Sequence, residues 1–578
     1  MIRNHILPII SFILLTACNK ALDIPPQDKI SNNAYWKTAS DLNAYVLQFY
    51  GSFPRIGNVD GLYTGYLGSD ALNGSDLQIR STPASQLNGS RVQVNTATGT
   101  GWNFTNIRAV NIFFENYQRV KESRNNIARY VGEAHFFKAW FYFNLLKQYG
   151  DVPWYSHSML INDPRLYAPR TLRTLVADSI LIELDSAIAD LDYLRNADGK
   201  NNRLSKEAAL IFKSRVALFE GTWQKYHAGT PFGTSGADPK KYFQAAIDAV
   251  QELMTPGKYN IALHASYPQL FNSDDLSNNP EVILWRKYDN MLGFMHNLQL
   301  FLTKSTDEVS ITLQQIQAFL KSDGSIYSYR DTAVKYRGTS FLTKIARDCD
   351  PRLKSIIWIP GQTMWSNTGG TGNFIKPALD ATGIDKNYTG FQLSKGANPA
   401  DPSAGGVLNF NAGCRTGSIL FRYAEALLNL AEAQAEMGVT VDYAHTINLI
   451  RTRAGMPPLV VQPDPQRKVY ADYGYLISDE LQEIRRERSV ELACEGFRYD
   501  DWRRWAAGNL FSGKRPLGFP YQAAEYDGMD VPTTEGFVDP YKKSLPSGYY
   551  FNKNRDYLDC IPVNEITLNP NLTKNPGW

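Results

Sequence analysis

Cysteine is scarce in this chain, with five in 578 residues, and one of the five, Cys18, stands alone near the start. The other four, Cys349, Cys414, Cys494 and Cys560, are too widely spaced for a zinc knuckle or a C-x-x-C redox pair. A chain this long buries enough surface to fold without disulfides, even if it is exported. Long apolar runs are also missing. Beyond the N-terminal segment no stretch has 18 uninterrupted apolar residues, so no later membrane-spanning helix is expected. Neither sign of charge dominates. The formal net charge is +3 and no long like-charge block occurs, so nothing points to nucleic acid.

Catalytic motifs are absent as well. There is no H-E-x-x-H, no phosphate-binding P-loop, no G-x-G-x-x-G and no G-x-S-x-G. Gly233-Thr234-Ser235-Gly236 falls one residue short of a nucleophile elbow and has no strand before it. The seven histidines are scattered, and His135 lies on an aromatic helix, where a core or helix-surface role is expected. A carboxylate pair for glycoside hydrolysis depends on separation in space, and the sequence singles out no pair among its 57 acids. Asp70, Asn73 and Asp76 offer oxygen ligands but not at EF-hand spacing, and no cofactor is expected.

What is present begins at the N-terminus. Arg3 precedes an apolar run from Ile6 to Leu15, which is the pattern of a secretory signal and too short to span a bilayer. Leu15-Thr16-Ala17-Cys18 resembles a bacterial lipobox, in which the cysteine is lipidated and becomes the first mature residue. Each buried CH₂ of an acyl chain is worth about 0.8 kcal/mol, so several chains would hold the protein stably on a membrane. Asn19 to Ser31 then reads as a short tether, stiffened by Pro25-Pro26. Loss of residues 1–17 removes Arg3 and takes the formal charge from +3 to +2.

Aromatic residues make up 12% of the chain; much of this is core packing, and some lies in Gly/Asn/Ser-rich loops where a core explanation is weaker. Helical periodicity runs over Ala34 to Phe49, where Leu42, Tyr45, Val46 and Phe49 share one face until Gly51 and Pro54 intervene. Residues 57–101 are rich in Gly, Ser, Thr and Asn with little periodicity, a long surface excursion closed by Trp102. Helix pairs follow: "IRAVNIFFENYQRV" with "YVGEAHFFKAWFYFNLLKQYGDVPW", then Leu172–Leu194 with Leu204–Trp223. Another starts at Tyr242, and late ones include "ILFRYAEALLNLAEAQAEMG", "YAHTINLIRTRAGMP" and a long helix capped by Ser478. Helix pairs recurring near every ~34 residues, with alanines for close approach, have a tetratricopeptide character. Residues 280–417 interrupt them with the strand-like "EVILWRKYD" and a loop-rich stretch. The expected fold is therefore mainly α, a tetratricopeptide-like superhelix carrying large irregular loop and short-strand insertions. Arg485-Arg486-Glu487-Arg488 reads as a salt-bridged helix, with Glu483–Arg486 and Arg488–Glu491 at i,i+3, and Asp500-Asp501 beside Trp502 and Trp505 reads as structural.

These segments occur in a distinctive order. The lipobox is followed by "LDIPPQDKIS", "YWKTASDLNAYVLQFY" and "EAHFFKAWFYFNLLKQYGDVPW". Then come "FRYAEALLNLAEAQAEMG", "INLIRTRAGMP" and "IRRERSVELACEGFRYDDWRRW", and the chain closes on "IPVNEITLNPNLTKNPGW". From end to end the chain resembles the SusD/RagB family of outer-membrane nutrient-binding lipoproteins of Bacteroidetes. The resemblance implies residues 1–17 as lipoprotein signal, 18–33 as lipidated cysteine and tether, and 34–578 as one SusD-like domain. Within it, an N-terminal part of about 34–270 carries a first binding loop at 51–103, and a C-terminal part spans about 271–578. It also implies an outward-facing, non-catalytic protein that binds oligo- or polysaccharide and delivers it to a SusC-like TonB-dependent transporter. A peptide-binding member of the family and, less so, a glycoside hydrolase are the alternatives. Glu487, Arg488, Glu491, Glu495, Gly496, Arg498 and Trp505 match the family's late helix and are expected to be structural.

Sugar capture needs an aromatic face for C–H groups and planar polar side chains for hydroxyls. In the first excursion the candidates are Tyr63, Tyr66, Asp70, Asn73, Arg80 and Trp102; in the second irregular region they are Trp285, Tyr288, Tyr327 and Trp365. Each can instead pack its loop onto the scaffold. The anchor is directly testable: Cys18→Ala is expected to move the protein from the membrane fraction to the soluble one on cell fractionation, and unchanged membrane retention would remove the lipid anchor.

Overall fold

The computed structural model describes residues 35–56, 69–196, 200–406 and 413–578. Cys18, Tyr63, Tyr66 and the 1–33 segment lie outside the described residues. The architecture is mainly helical, with pairs of long helices and short strands in the insertions.

The first helix, α1 (Ala39–Leu47), starts later than its apolar face suggests. The reason is a capping box: the Thr38 hydroxyl accepts from Asp41 N, and the Asp41 carboxylate accepts from Thr38 N at 2.8 Å. Helices α2 (Thr105–Asn116) and α3 (Arg124–Tyr149) follow the first excursion. Twenty-six residues long, α3 buries Phe136, Phe137, Ala139, Trp140, Tyr142 and Phe143 around most of its circumference, as its apolar character predicts. Next come α4 (Arg173–Asp190), α5 (Lys206–Tyr226) and α6 (Pro239–Leu253). Ser205 caps α5, and Asp238 caps α6 with Pro239 at its first position. α3 packs on α4, α4 on α5 and α5 on α6, which is the stacked-pair pattern of a helical repeat.

The irregular middle holds strand β1 (Val282–Arg286), helix α7 (Leu298–Thr303) and the hairpin β2 (Thr363–Asn367) with β3 (Gly370–Asn373). Strand β4 (Ser418–Arg422) pairs antiparallel with β1 and runs directly into α8 (Tyr423–Met437). α8 lies against α5 and α6 through buried Ala424, Ala426, Ala431 and Ala433, and ends at Gly438 with φ +79°. α9 (Ile447–Arg453), α10 (Asp479–Glu491, capped by Ser478) and α11 (Arg498–Arg504) complete the scaffold.

α10 differs in part from the expectation of a helix salt-bridged within itself. Glu483–Arg486 does form at 3.3 Å, but Arg488 bonds Asp501 at 2.9 Å rather than Glu491. Glu491 instead receives Arg352, Arg422 and Arg453 at 3.0, 2.6 and 2.5 Å, and Arg422 also holds Glu281 and Glu495. The side chains of these groups are nearly or fully buried, so the charges of "IRRERSVELACEG" face inward and tie α10 to β4, α9 and the middle region. Opposite charges this close hold the Glu491 carboxyl far below its usual range against the upward push of burial. Cys349, Cys414, Cys494 and Cys560 are free and buried, each separate from the others.

Leaving a buried charge without its partners costs about 3–5 kcal/mol. Glu491→Ala is therefore expected to lower the unfolding free energy by about that amount in a denaturant titration at pH 7. The sign with pH follows from a depressed folded pKa. The stabilisation is complete above the unfolded value near ~4.3 and is lost as pH falls below it, so acid should erase the difference between wild type and variant.

Candidate functional site

The first excursion and the irregular middle meet at a seam. A two-residue antiparallel ladder pairs Gln78 with Ile311 and Ile79 with Ser310, and the chain then presents Arg80 and Ser81 on one side and Asp307 and Glu308 on the other. Arg80 lies 3.5 Å from Asp307 and 3.8 Å from Glu308, with its side chain 21% exposed. The Ser81 hydroxyl donates to the Glu308 carboxylate. The phenol of Tyr388, half-buried, stands beside Ser81, Glu308 and Arg80, and Tyr541 donates to the Arg80 carbonyl at 2.6 Å.

The backbone under this cluster is strained. Asp307 and Glu308 have φ of +45° and +59°, consecutive left-handed positions for residues with side chains. A clamp holds them there. Thr306 N and Glu308 N both donate to Ile384 O, Ser305 Oγ does so at 2.8 Å, and Thr306 Oγ1 donates to Lys386 O at 2.7 Å. The second carboxyl oxygen of Asp307 and Nε of Arg80 are buried without a hydrogen-bond partner among the described residues. Burial pushes the Asp307 carboxyl up to about 7, against the pull of Arg80.

Trp365 is half-buried on β2. Its indole needs two glycines beneath it: a Cβ on Gly372 would lie 2.1 Å from the ring and one on Gly405 2.7 Å. Gly405 N donates to Thr303 Oγ1 at the end of α7, and α7 leads through Lys304 into the Asp307 turn. One short helix thus links the aromatic ring to the polar cluster. A loop nearby in sequence exposes Met291 and Leu292 almost fully.

The structure scatters the other expected residues. Trp285 is sealed in the core, its indole donating to Asn201 at 2.6 Å. Tyr288 is equally buried, bonded to Ile56 N and Ser418 and stacked on Phe294. Tyr327 is buried against Tyr329 with its hydroxyl on Asp348. Asp70 is buried, accepts from Tyr499 N and is pushed up to about 7, chiefly by burial. These four hold loops onto the scaffold and offer no face to a ligand. Asp76 does likewise, with a two-point bond to Arg498. Trp102 packs edge-on to Tyr149 and lines a separate, largely apolar cavity of about 680 Å³ with Phe104, Tyr155 and Tyr167. Asn73 is exposed at another cavity. Sequence reasoning missed Ser81, Glu308 and Tyr388. The polar run "KSTDE" directly after the apolar α7 was the available signal. No group of three or more metal-ligating side chains is assembled among the described residues.

This arrangement offers a cation fork, a carboxylate and two hydroxyls in one cluster, the equipment for holding a polyhydroxylated molecule. The comparisons agree on a class of binding protein. A family model described as SusD family matches residues 280–578, and one described as starch-binding associating with outer membrane matches 33–218. The chain belongs to the SusD family, whose members are non-enzymatic. A SusD-like protein of Formosa agariphila is 22% identical over 508 residues, covering 85% of this chain and 89% of that one. A SusD-like carbohydrate binding protein from Bacteroides fragilis has the same fold, with a TM-score of 0.70 at 22% identity, covering 93% of this chain and all of that one. A laminarin binding SusD-like protein superposes with a TM-score of 0.54 at 16% identity, covering 94% and 100%. No helix among the described residues is long and apolar enough to cross a membrane.

Because Arg80 lowers the Asp307 pKa, Arg80→Met is expected to move the Asp307 titration upward from about 7. Carboxyl carbon NMR on aspartate-labelled protein reads that midpoint. A midpoint that stays or falls would show that the two groups are not electrostatically coupled.

Proposed function

We propose that this protein is a cell-surface lipoprotein that captures an extracellular oligo- or polysaccharide without catalysis and delivers it to a SusC-like TonB-dependent transporter. It would be held to the outer membrane through lipid on Cys18 and face the exterior. The observation that carries the reading is the seam where Arg80, Ser81, Glu308 and Tyr388 gather just past the C-terminal end of α7, the end that also holds Gly405 beneath Trp365. Sugars present an apolar C–H face and a belt of hydroxyls. The indole of Trp365 suits the first, and the charged and hydroxyl groups of the cluster suit the second. Membership in the SusD family, and the carbohydrate and laminarin ligands in the names of two relatives of the same fold, support a glycan over other nutrients. A rigid helical scaffold suits this role because a preformed site saves ordering entropy on binding.

Calorimetry of the detergent-solubilised full chain against plant, mucin and microbial polysaccharides, with casein peptides as contrast, tests the reading. One glycan class is expected to bind, and Trp365→Ala or Arg80→Ala to weaken it by about tenfold or more, since a stacking ring or charged hydrogen bond is worth about 1.4 kcal/mol or above. Binding to peptides alone, or sustained release of reducing ends, would overturn it. Purification from membranes without a TonB-dependent porin would overturn the delivery step.

A further inference from the structure

A second concavity has no part in the seam. It has a volume of about 310 Å³ and opens between α3, α5, the start of α8 and residues 495–500. Arg80, Glu308, Tyr388 and Trp365 are not in its wall. Its lining carries six charges, and they cancel. Lys147 bonds Asp500 at 2.6 Å, Arg215 forks onto Glu425 at 2.6 and 2.7 Å, and Arg422 forks onto Glu495 at 2.8 and 2.7 Å. An anionic or cationic ligand would have to break one of these largely buried pairs to gain a partner, which is unfavourable.

The groups left free are neutral. The indole N–H of Trp140 and the carboxamide of Asn144, both on α3, have no hydrogen-bond partner among the described residues, and neither has the carboxamide of Asn73 at the lip. Together they supply donors and acceptors without charge. Phe497 and Tyr499 add apolar ring surface to the same wall. α3, α5 and α8 satisfy their own backbone groups, and β4, which also lines the wall through Ile419, Leu420 and Arg422, pairs with β1 and gives its Leu420 carbonyl to Arg215. The volume sits at the small end of ligand pockets.

We propose that this cavity is a second saccharide site, separate from the seam, that takes a mono- or disaccharide end of a glycan and selects neutral sugars over uronic acids. The proposal rests on the glycan reading above. Two contacts on one chain of sugars would raise affinity for long glycans through effective concentration, without a new contact at either site.

The test uses calorimetry of the solubilised full chain with glucose, galactose, mannose, xylose and their disaccharides, and with glucuronic and galacturonic acids. A neutral short sugar is expected to bind saturably. Asn144→Ala, at an exposed position, and Trp140→Phe, which keeps a ring but loses the N–H, should each weaken it about five- to tenfold. Thermal melts of both variants check the fold. Tighter binding of the uronic acids, or short-sugar binding that Asn144→Ala does not alter, would overturn the proposal. Polysaccharide binding that depends on Trp365 with no short-sugar binding would overturn this site alone. Failure of every glycan to bind would overturn the site and the functional reading together.

Discussion

The structure depends on the meeting of Glu491 with three arginines. Arg352 comes from the irregular middle, Arg422 from the end of β4 and Arg453 from the end of α9, and all three close on one buried carboxylate of α10. Arg422 passes the connection on to Glu281 at the edge of β1 and to Glu495, which also holds Lys395. Helical pairs pack by apolar contact and tolerate sliding, whereas a desolvated ion cluster does not, because each displaced charge is left unpaired. The cluster fixes where the irregular insertions sit on the helical scaffold, and so fixes the seam they carry.

That division explains what the sequence revealed. The helices were legible because apolar spacing and capping residues act locally: Ser478, Ser205 and the Thr38–Asp41 box all mark helix starts. The partners of α10 were not legible, since "IRRERSVE" reads as paired within its own helix unless Arg352, Arg422 and Asp501 are known, and these lie up to 139 residues away. The same holds for the site. Arg80 and Trp365 could be singled out because they sit in polar, glycine-rich chain. Trp285 and Tyr288 lie in the strand-like "EVILWRKYD", and pairing of 282–286 with 418–422 puts this stretch in the core. Glu308 and Tyr388 reach Arg80 only through long-range contacts, so no local pattern marks them.

The seam and the 310 Å³ cavity differ in kind. The seam is built from loops whose strained turn is held by a hydrogen-bond clamp on Ile384 O. The cavity is cut into the helical scaffold itself, and its polar wall is fixed by ion pairs. A loop-built surface can change between relatives at little expense to folding, while a scaffold cavity changes only with its helices.

The four buried thiols carry a consequence for how such a chain matures. Burial pushes Cys349, Cys414 and Cys494 up to about 12, so in the folded protein their sulfurs remain protonated and cannot attack a disulfide. Before folding, the same sulfurs are ordinary exposed thiols. In an oxidising compartment maturation is then a race between collapse and cross-linking, and the native fold, once reached, closes the reaction by withdrawing its reagents.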